Sequence, residues 1–193
     1  MSGLPSYCFA PGTGLTQGRR RPTNQFPRRI EPFVRIEGPG LDHEKLRRQE
    51  TAATERCTWR GRVMRGEVHD ENAFALGGAA GHAGLFGTID GVLDAARCLL
   101  QGVDPWLLEL RTRQTATRCL GWEARHEGWS GGNACSEETI GHTGFTGTGL
   151  WIDSARGLAW TLLTNRVHPT RHRDTGIDTL RRKIGDLIVG QVS

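Results

Sequence analysis

At 193 residues the chain has the length of one domain, or one and a half, and is long enough to bury a core. Its 36% hydrophobic and 24% charged content exclude a wholly disordered chain, and no run approaches the roughly 18 apolar residues of a membrane span. The net charge of +4 hides an unusual make-up, because Lys45 and Lys183 are the sole lysines among 25 basic residues.

In chain order, residues 1–40 are rich in Pro, Gly and Arg without periodicity, which predicts an irregular arm ahead of a domain over 41–193. Met1–Ala10 lacks a charged segment followed by an apolar one, so no secretory signal is visible and the default expectation is cytoplasmic. Arg19-Arg20-Arg21 and Arg28-Arg29 are the strongest basic clusters. A nucleic-acid surface needs such clusters on one face beside aromatic platforms, whereas a solvated arm needs neither; no nucleic-acid partner is expected. Five cysteines at 8, 57, 98, 119 and 135 form no Cys-x-x-Cys pair, which fits a reducing compartment better than a zinc site or a disulfide framework.

A short helix is predicted over Asp42–Ala53 and a strand over Thr58–Met64, with Trp59, Gly61 and Val63 alternating. Gly66–Gly87 reads as a long glycine-rich loop. Thr88 can cap a helix whose Val92, Ala96 and Leu99 share one stripe, with Cys98 on the inward side and Gly102 at the end. Asp104-Pro105 opens another helix, carrying Trp106, Leu107 and Leu110. A strand is predicted at Leu120–Glu123 and a loop over Gly128–Glu138. Three strands follow at Thr139–Thr143, Thr148–Ile152 and Leu158–Asn165, the last apolar enough to be covered on both faces. From about Thr175 a helix places Ile177, Leu180, Ile184, Leu187 and Ile188 at helical spacing. A meander followed by such a helix predicts an α+β fold, an antiparallel sheet with the C-terminal helix packed on it.

The most specific string is Gly141-His142-Thr143-Gly144-Phe145-Thr146-Gly147-Thr148. A polar side chain at a strand end followed by Thr-Gly can line a cleft, the glycine admits substrate close to the backbone, and the next amide can point at a developing oxyanion. Here the chain resembles the β-lactamase-related, class C β-lactamase and penicillin-binding-protein-like serine hydrolases and esterases, which carry Lys-Thr-Gly or His-x-Gly beside the nucleophile. Further strings carry the likeness upstream: Thr54-Glu55, Trp59-Arg60-Gly61, Gly66 to Ala73 (GEVHDENA) and Gly77 to Phe86 (GGAAGHAGLF). Leu150 to Asp153 (LWID) and Leu162 to Arg166 (LLTNR) are similar to the last two strands of the family. The likeness covers about residues 42–190 and implies a partial β-lactamase/DD-peptidase-like fold.

One departure matters. Family members place the nucleophile in Ser-x-x-Lys, yet Asp42 stands three places before Lys45 and Leu180 three before Lys183. The second family motif, Tyr-x-N, needs a tyrosine, and the one present is Tyr7 in Tyr7-Cys8-Phe9. The sequence therefore looks like the C-terminal portion of a serine hydrolase, expected to be inactive alone, with a non-catalytic binding or scaffold module as the alternative. By resemblance, His142 occupies the catalytic position, and Thr143, Gly144 and Phe145 bind substrate, an ester, amide or peptide-like small molecule in complete relatives. No cofactor and no metal are implied, and self-association through sheet left exposed is among the expectations.

The remaining polar residues have blander expectations. His69, Asp70 and Glu71 are scaffold or cleft-lining, with Asp70 and Asn72 suited to bonding loop backbone. His82 is expected to pack under the cleft, while His168, His172 and the arginines near them are expected in solvent. Trp129 is the tryptophan expected to meet a ligand. Ser130 and Ser136 precede His142 closely enough to raise a Ser–His pair, but no acidic orienting partner is evident in the sequence.

Overall fold

Residues 33–35, 51–102 and 105–192 are described by a computed structural model of the chain. Strand β1 (Phe33–Arg35) pairs antiparallel with β4 (Leu85–Gly87), and β2 (Arg56–Cys57) with β3 (Arg62–Val63). Helix α1 (Glu71–Ala75) lies between these pairs, and α2 (Ile89–Gln101) and α3 (Pro105–Arg111) follow. Strands β5 (Arg118–Cys119), β6 (Trp122–Ala124), β7 (Ile140–Thr143), β8 (Gly149–Asp153) and β9 (Leu158–Leu162) form one antiparallel sheet in sequence order. Helix α4 (Ile177–Gly190) ends the described fold.

The α+β architecture read from the sequence is present, with the three expected strands and the C-terminal helix after them. Several local expectations are corrected. Most of the arm over 1–40 and of the helix over Asp42–Ala53 lies outside the described residues; within the expected irregular arm 33–35 form strand β1, and 51–53 are not helical. The strand expected over Thr58–Met64 is a hairpin, with a turn at 58–61 between β2 and β3. The strand expected at Leu120–Glu123 is also a hairpin bend. Leu120 and Gly121 join β5 to β6, and Gly121 takes φ +73°, a left-handed conformation open to glycine at no steric cost. The presumed loop over 66–87 contains α1 and β4. Five helical residues are too few to show a period; what starts them is Asp70, whose Oδ1 accepts the Ala73 N–H at 2.8 Å.

Helix α2 starts where Thr88 caps it, its hydroxyl accepting the Gly91 N–H, and stops at Gly102. Ala96 is buried as expected, but Cys98 is exposed rather than inward. This helix packs on β8 and β9, where Leu99 and Leu100 meet Ala124, Ile140, Ile152 and Ala159. Strand alternation sends Trp151 and Trp160 to the opposite face. There they stack at 6.0 Å and are covered by Trp129, Cys135 and Val189 of α4. Strand β9 is thus covered on both faces. Each buried indole removes roughly 150–250 Å² from water, about 4–6 kcal/mol of gross transfer free energy. Gly141 makes room for this cluster, since a Cβ there would overlap the Trp151 ring.

The buried row of α4 differs from the expected stripe. Arg181, Gly185 and Val189 face the sheet, while Leu180 and Leu187 are exposed. The physical reason is close approach. Gly185 has no side chain to hold the helix off the Gly131 carbonyl, and Arg181 reaches beneath the helix to backbone oxygens. The small residue and the hydrogen-bonding arginine set the rotation, not the largest apolar side chains. No helix among the described residues is long and apolar enough to cross a membrane.

Candidate active site

Strand β7 carries the His-Thr-Gly string to the end of the sheet. Its pairing with β6 stops at Glu123↔Gly141, so His142 and Thr143 pair with β8 alone, opposite Leu150 and Gly149. The pleat puts His142 on the α2 side and Thr143 on the α4 side. His142 is exposed, and its Nδ1 lies 3.0 Å from the Thr143 carbonyl oxygen. As a donor there, Nδ1 leaves Nε2 as the acceptor.

After Thr143 the chain turns tightly. The Gly144 N–H donates to Thr148 O at 2.9 Å and the Gly147 N–H to Gly144 O at 3.0 Å. A Cβ on Gly144 would overlap the Thr148 hydroxyl. Arg181 NH2 donates to Gly144 O at 2.9 Å and to Thr148 O at 2.7 Å, while NH1 meets Asp178 at 3.1 Å. Burial pulls the Arg181 pKa down, because a desolvated cation is disfavoured even beside Asp178. Its Nε is buried and has no partner among the described residues.

Thr143, Gly144 and Phe145 line one wall of a cleft of about 470 Å³, and the residues entering α4 line the other. Arg166 and Arg173 line it beside Asp174 and Asp178, with buried Arg181 beneath the turn. The Phe145 N–H has no hydrogen-bond partner among the described residues. The structure therefore brings Thr143, Gly144 and Phe145 together at the cleft and places His142 beside it, across the pleat.

Phe145 is held from behind. Its ring stacks on His69 at 5.7 Å, with the Arg166 guanidinium 4.4 Å and that of Arg171 5.7 Å from its centroid. Arg166 Nε also donates to Phe145 O at 2.7 Å. Behind His69 lies a buried ionic cluster. Glu55 meets His69 Nε2 at 2.8 Å, accepts the Arg171 backbone N–H at 2.9 Å and binds its guanidinium; Arg171 also reaches Glu71 at 2.6 Å. Burial works against ionising Glu55, but the Arg171 guanidinium, the Arg171 amide and His69 outweigh it and hold its pKa at about 2. Hydrogen bonds to Glu55 and then Glu71 raise the Arg171 pKa.

The other expected polar residues are placed as follows. Asp70 caps α1 and bonds His82 at 3.0 Å, and burial is not the lot of His82, which is exposed rather than packed under the cleft. His168 and His172 are exposed as expected, but Arg166 and Arg171 are drawn against Phe145 instead of into solvent. Trp129 meets no cleft: it is buried in the tryptophan cluster, its Nε1 donating to Gly132 O at 2.7 Å. Ser130 accepts from Trp151 Nε1 on the α4 face, across the sheet from His142. Ser136 donates to buried Asp153 at 2.6 Å, at the far end of β8. Neither serine pairs with His142. Among the described residues no group of three or more His, Cys, Asp or Glu is arranged to hold a metal ion.

Comparison with known proteins bears on this arrangement. The family model for Beta-lactamase matches residues 35–182. The chain belongs to the beta-lactamase family. Among curated relatives it is 36% identical over 124 residues to the N-acetylmuramyl-L-alanine amidase of Bacillus subtilis, covering 56% of this chain and 28% of that protein. To the putative D-alanyl-D-alanine carboxypeptidase of Escherichia coli K12 it is 34% identical over 118 residues, 53% of this chain and 27% of that protein. The matched stretch thus spans little more than a quarter of these family members. A crystal structure of a beta-lactamase from Mycobacterium bovis superposes with a TM-score of 0.48 at 23% identity, over 57% of this chain and 46% of that one.

Glu55, Arg171, Arg166 and Arg181 escaped the sequence reading as site-supporting residues. Glu55 and Arg171 are 116 positions apart, and no local spacing links them. The available signals were that Thr54-Glu55, the string from Gly66 to Ala73 and the string ending at Arg166 all belong to the family likeness.

Proposed function

We propose that this chain supplies the Thr143-Gly144-Phe145 wall, with His142 beside it, of a beta-lactamase-family acyl-transfer site for carboxylate-ended, peptide-like amides or esters. The reactive serine comes from outside these 193 residues. The carrying observation is the cleft itself: Thr143, Gly144 and Phe145 line the same space as Arg166 and Arg173, and the Phe145 N–H has no hydrogen-bond partner among the described residues. Arginines in a partly enclosed cleft recognise a carboxylate by charge-assisted hydrogen bonds. The name of one relative, a putative D-alanyl-D-alanine carboxypeptidase, favours peptides ending in D-alanine.

In this reading a serine Oγ attacks the substrate carbonyl and its proton passes to His142 Nε2, while Phe145 N–H receives the developing oxyanion. His142 then returns the proton to the leaving amine or alcohol, and water releases the acyl group by the reverse path. With no Ser-x-x-Lys in the chain, and Ser130 and Ser136 both committed to structural bonds, turnover by these residues alone is absent. That commitment equally favours a binding-only module using the same cleft.

The test is calorimetric titration with an acetylated dipeptide ending in D-Ala-D-Ala and with its C-terminal amide. Binding of the acid about 10-fold tighter than the amide, lost on Arg173→Ala, supports the cleft assignment; equal affinities for acid and amide refute it. Adding the nucleophile-bearing segment of a family member then separates the two roles. Hydrolysis that depends on His142 supports the acyl-transfer reading, and binding without hydrolysis supports the module.

A further inference from the structure

We propose that Arg181 is a positioning residue for the Phe145 amide: it orients and polarises the peptide group whose N–H receives the oxyanion. The consequence for catalysis rests on the acyl-transfer reading above. The coupling itself is a property of this chain and is measurable without a nucleophile.

Gly144 C=O and Phe145 N–H are the two ends of one peptide group. Resonance keeps that group planar and trans, so its oxygen and its hydrogen point in opposite directions. Whatever pins the oxygen therefore aims the hydrogen. Two donors pin it here. The Gly147 N–H reaches Gly144 O at 3.0 Å, and Arg181 Nη2 reaches it at 2.9 Å. The following peptide is held as well, because Arg166 Nε donates to Phe145 O at 2.7 Å. Residue 145 is clamped on both sides, while its own N–H has no partner among the described residues.

Arg181 adds more than direction. Its hydrogen bond draws electron density toward the Gly144 oxygen, which makes the N–H at the other end of the peptide a stronger donor. Arg181 is only 4% exposed, so solvent and salt screen its charge little. When negative charge develops in front of the Phe145 N–H, cation, peptide dipole and anion follow one another in the favourable order.

The turn closes by bonds of its own. Gly144 O has the Gly147 N–H and Thr148 O has the Gly144 N–H, and Arg181 Nη2 supplies the second bond to each oxygen. The companions of Arg181 on the buried row of α4 are Gly185 and Val189. Replacing a buried ionic group by an apolar one of similar volume is often neutral for stability, so stability alone does not call for an arginine there. What an apolar side chain cannot do is act on the Gly144 oxygen. An oxyanion donor contributes about 10²–10³ in rate, and strengthening it by roughly 10–30% corresponds to about 2- to 8-fold in kcat, with little change in KM.

The test is amide hydrogen exchange of the full chain, followed residue by residue by NMR against pH, with circular dichroism to verify folding. Hydroxide takes the N–H proton as water and leaves a peptide anion whose charge is shared between nitrogen and carbonyl oxygen; solvent then reprotonates the nitrogen. At Phe145 that oxygen is Gly144 O, where Arg181 stabilises the charge. Arg181→Met should therefore slow exchange at Phe145 about 10-fold, while Gly144 and Gly147 exchange at the parent rate or faster. Arg181→Lys, which keeps a charged donor, should recover part of the rate. Lys183→Met, which removes an exposed charge from the same helix, should leave Phe145 unchanged. If Arg181→Met loses the folded spectrum, Arg181→Gln takes its place with the same expectation, since its side chain is polar but neutral. Exchange at Phe145 that is unchanged, or that quickens together with its neighbours in the turn, would make Arg181 a structural brace and overturn the proposal. Equal slowing by Lys183→Met would overturn it too, by assigning the effect to net charge. Those failures leave the acyl-transfer reading intact, because it is decided by the peptide titration and by complementation. Slowed exchange at Phe145 in a chain without His142-dependent hydrolysis would fault that reading and support the coupling.

Discussion

The tryptophan cluster beneath β7–β9 and the ionic cluster around Arg171 hold the Thr143–Phe145 turn from two sides. In the first, Trp129, Trp151 and Trp160 fill the space between sheet and α4, and the contacts are non-directional. In the second, Glu55, His69, Arg171 and Glu71 are joined by hydrogen bonds at 2.6–2.9 Å, and Phe145 rests on their His69. Apolar packing supplies stability nearly independent of pH. A buried carboxylate supplies it only while ionised. The comparison therefore teaches that the sheet fixes where the cleft is, and that the ionic cluster fixes how its aromatic wall stands.

The largest expected effect is on the apolar side. Trp151→Ala should cost about 3–5 kcal/mol, by lost burial and by the cavity left between Gly141, Gly149 and Trp160. Urea unfolding at pH 7 and again at pH 4 should give the same loss. A loss that shrinks sharply at the lower pH would mean that the two clusters are coupled rather than separate.

Next comes Glu55→Gln. With its folded pKa at about 2, below an ordinary value of 4.5, Glu55 contributes stability that is complete above the ordinary value. That contribution is lost as the pH falls from about 4.5 toward 2, and the gap corresponds to about 3 kcal/mol. The variant should therefore be destabilised at pH 7 by about that amount and unfold with a flatter acid limb. Denaturant midpoints measured between pH 7 and pH 2.5 decide it; parallel curves for variant and parent would remove Glu55 from the acid response.

Gly144→Ala is the intermediate case and acts on the turn itself. The added Cβ must displace the Thr148 hydroxyl, at about 1–3 kcal/mol. Because Arg181 bonds both Gly144 O and Thr148 O, the shift should also loosen the start of α4. Hydrogen exchange should quicken at Ile177–Arg181 as well as in the turn. Faster exchange confined to the turn would show that Arg181 does not couple the two.

The same contrast explains what the sequence disclosed. Alternation in β7 and β8 and the unbroken apolar run of β9 are local patterns, so the sheet and its two-sided cover were legible. The family strings located Thr143, Gly144 and Phe145 at a cleft wall. The rotation of α4 was not legible, since it depends on Gly185 meeting the Gly131 carbonyl, and a glycine carries no periodic signal. The Glu55–Arg171 pair was hidden for a different reason: two charged residues 116 positions apart look solvated until the chain brings them together. Trp129 misled because its loop position suggested a ligand, while its indole fills a space bounded by Gly131 and Trp151.

The smallest expected effect on stability is that of Phe145→Ala, and it tests the comparison most directly. The ring is 56% exposed, so little apolar burial is lost. What disappears is one stack on His69 and the approach of two guanidinium groups. Such contacts are worth about 1 kcal/mol together at partly exposed sites, far below the loss expected for Trp151→Ala. The consequence for the turn should be disproportionate. Arg166 Nε still holds Phe145 O, but nothing then presses the residue 145 backbone against the His69 platform, so its amide samples more directions. Exchange of the amides of residues 144–147 should speed several-fold while the global unfolding midpoint barely moves. A stability loss as large as that of Trp151→Ala would make Phe145 part of the core, and the division between a cluster that stabilises and a cluster that positions would fail.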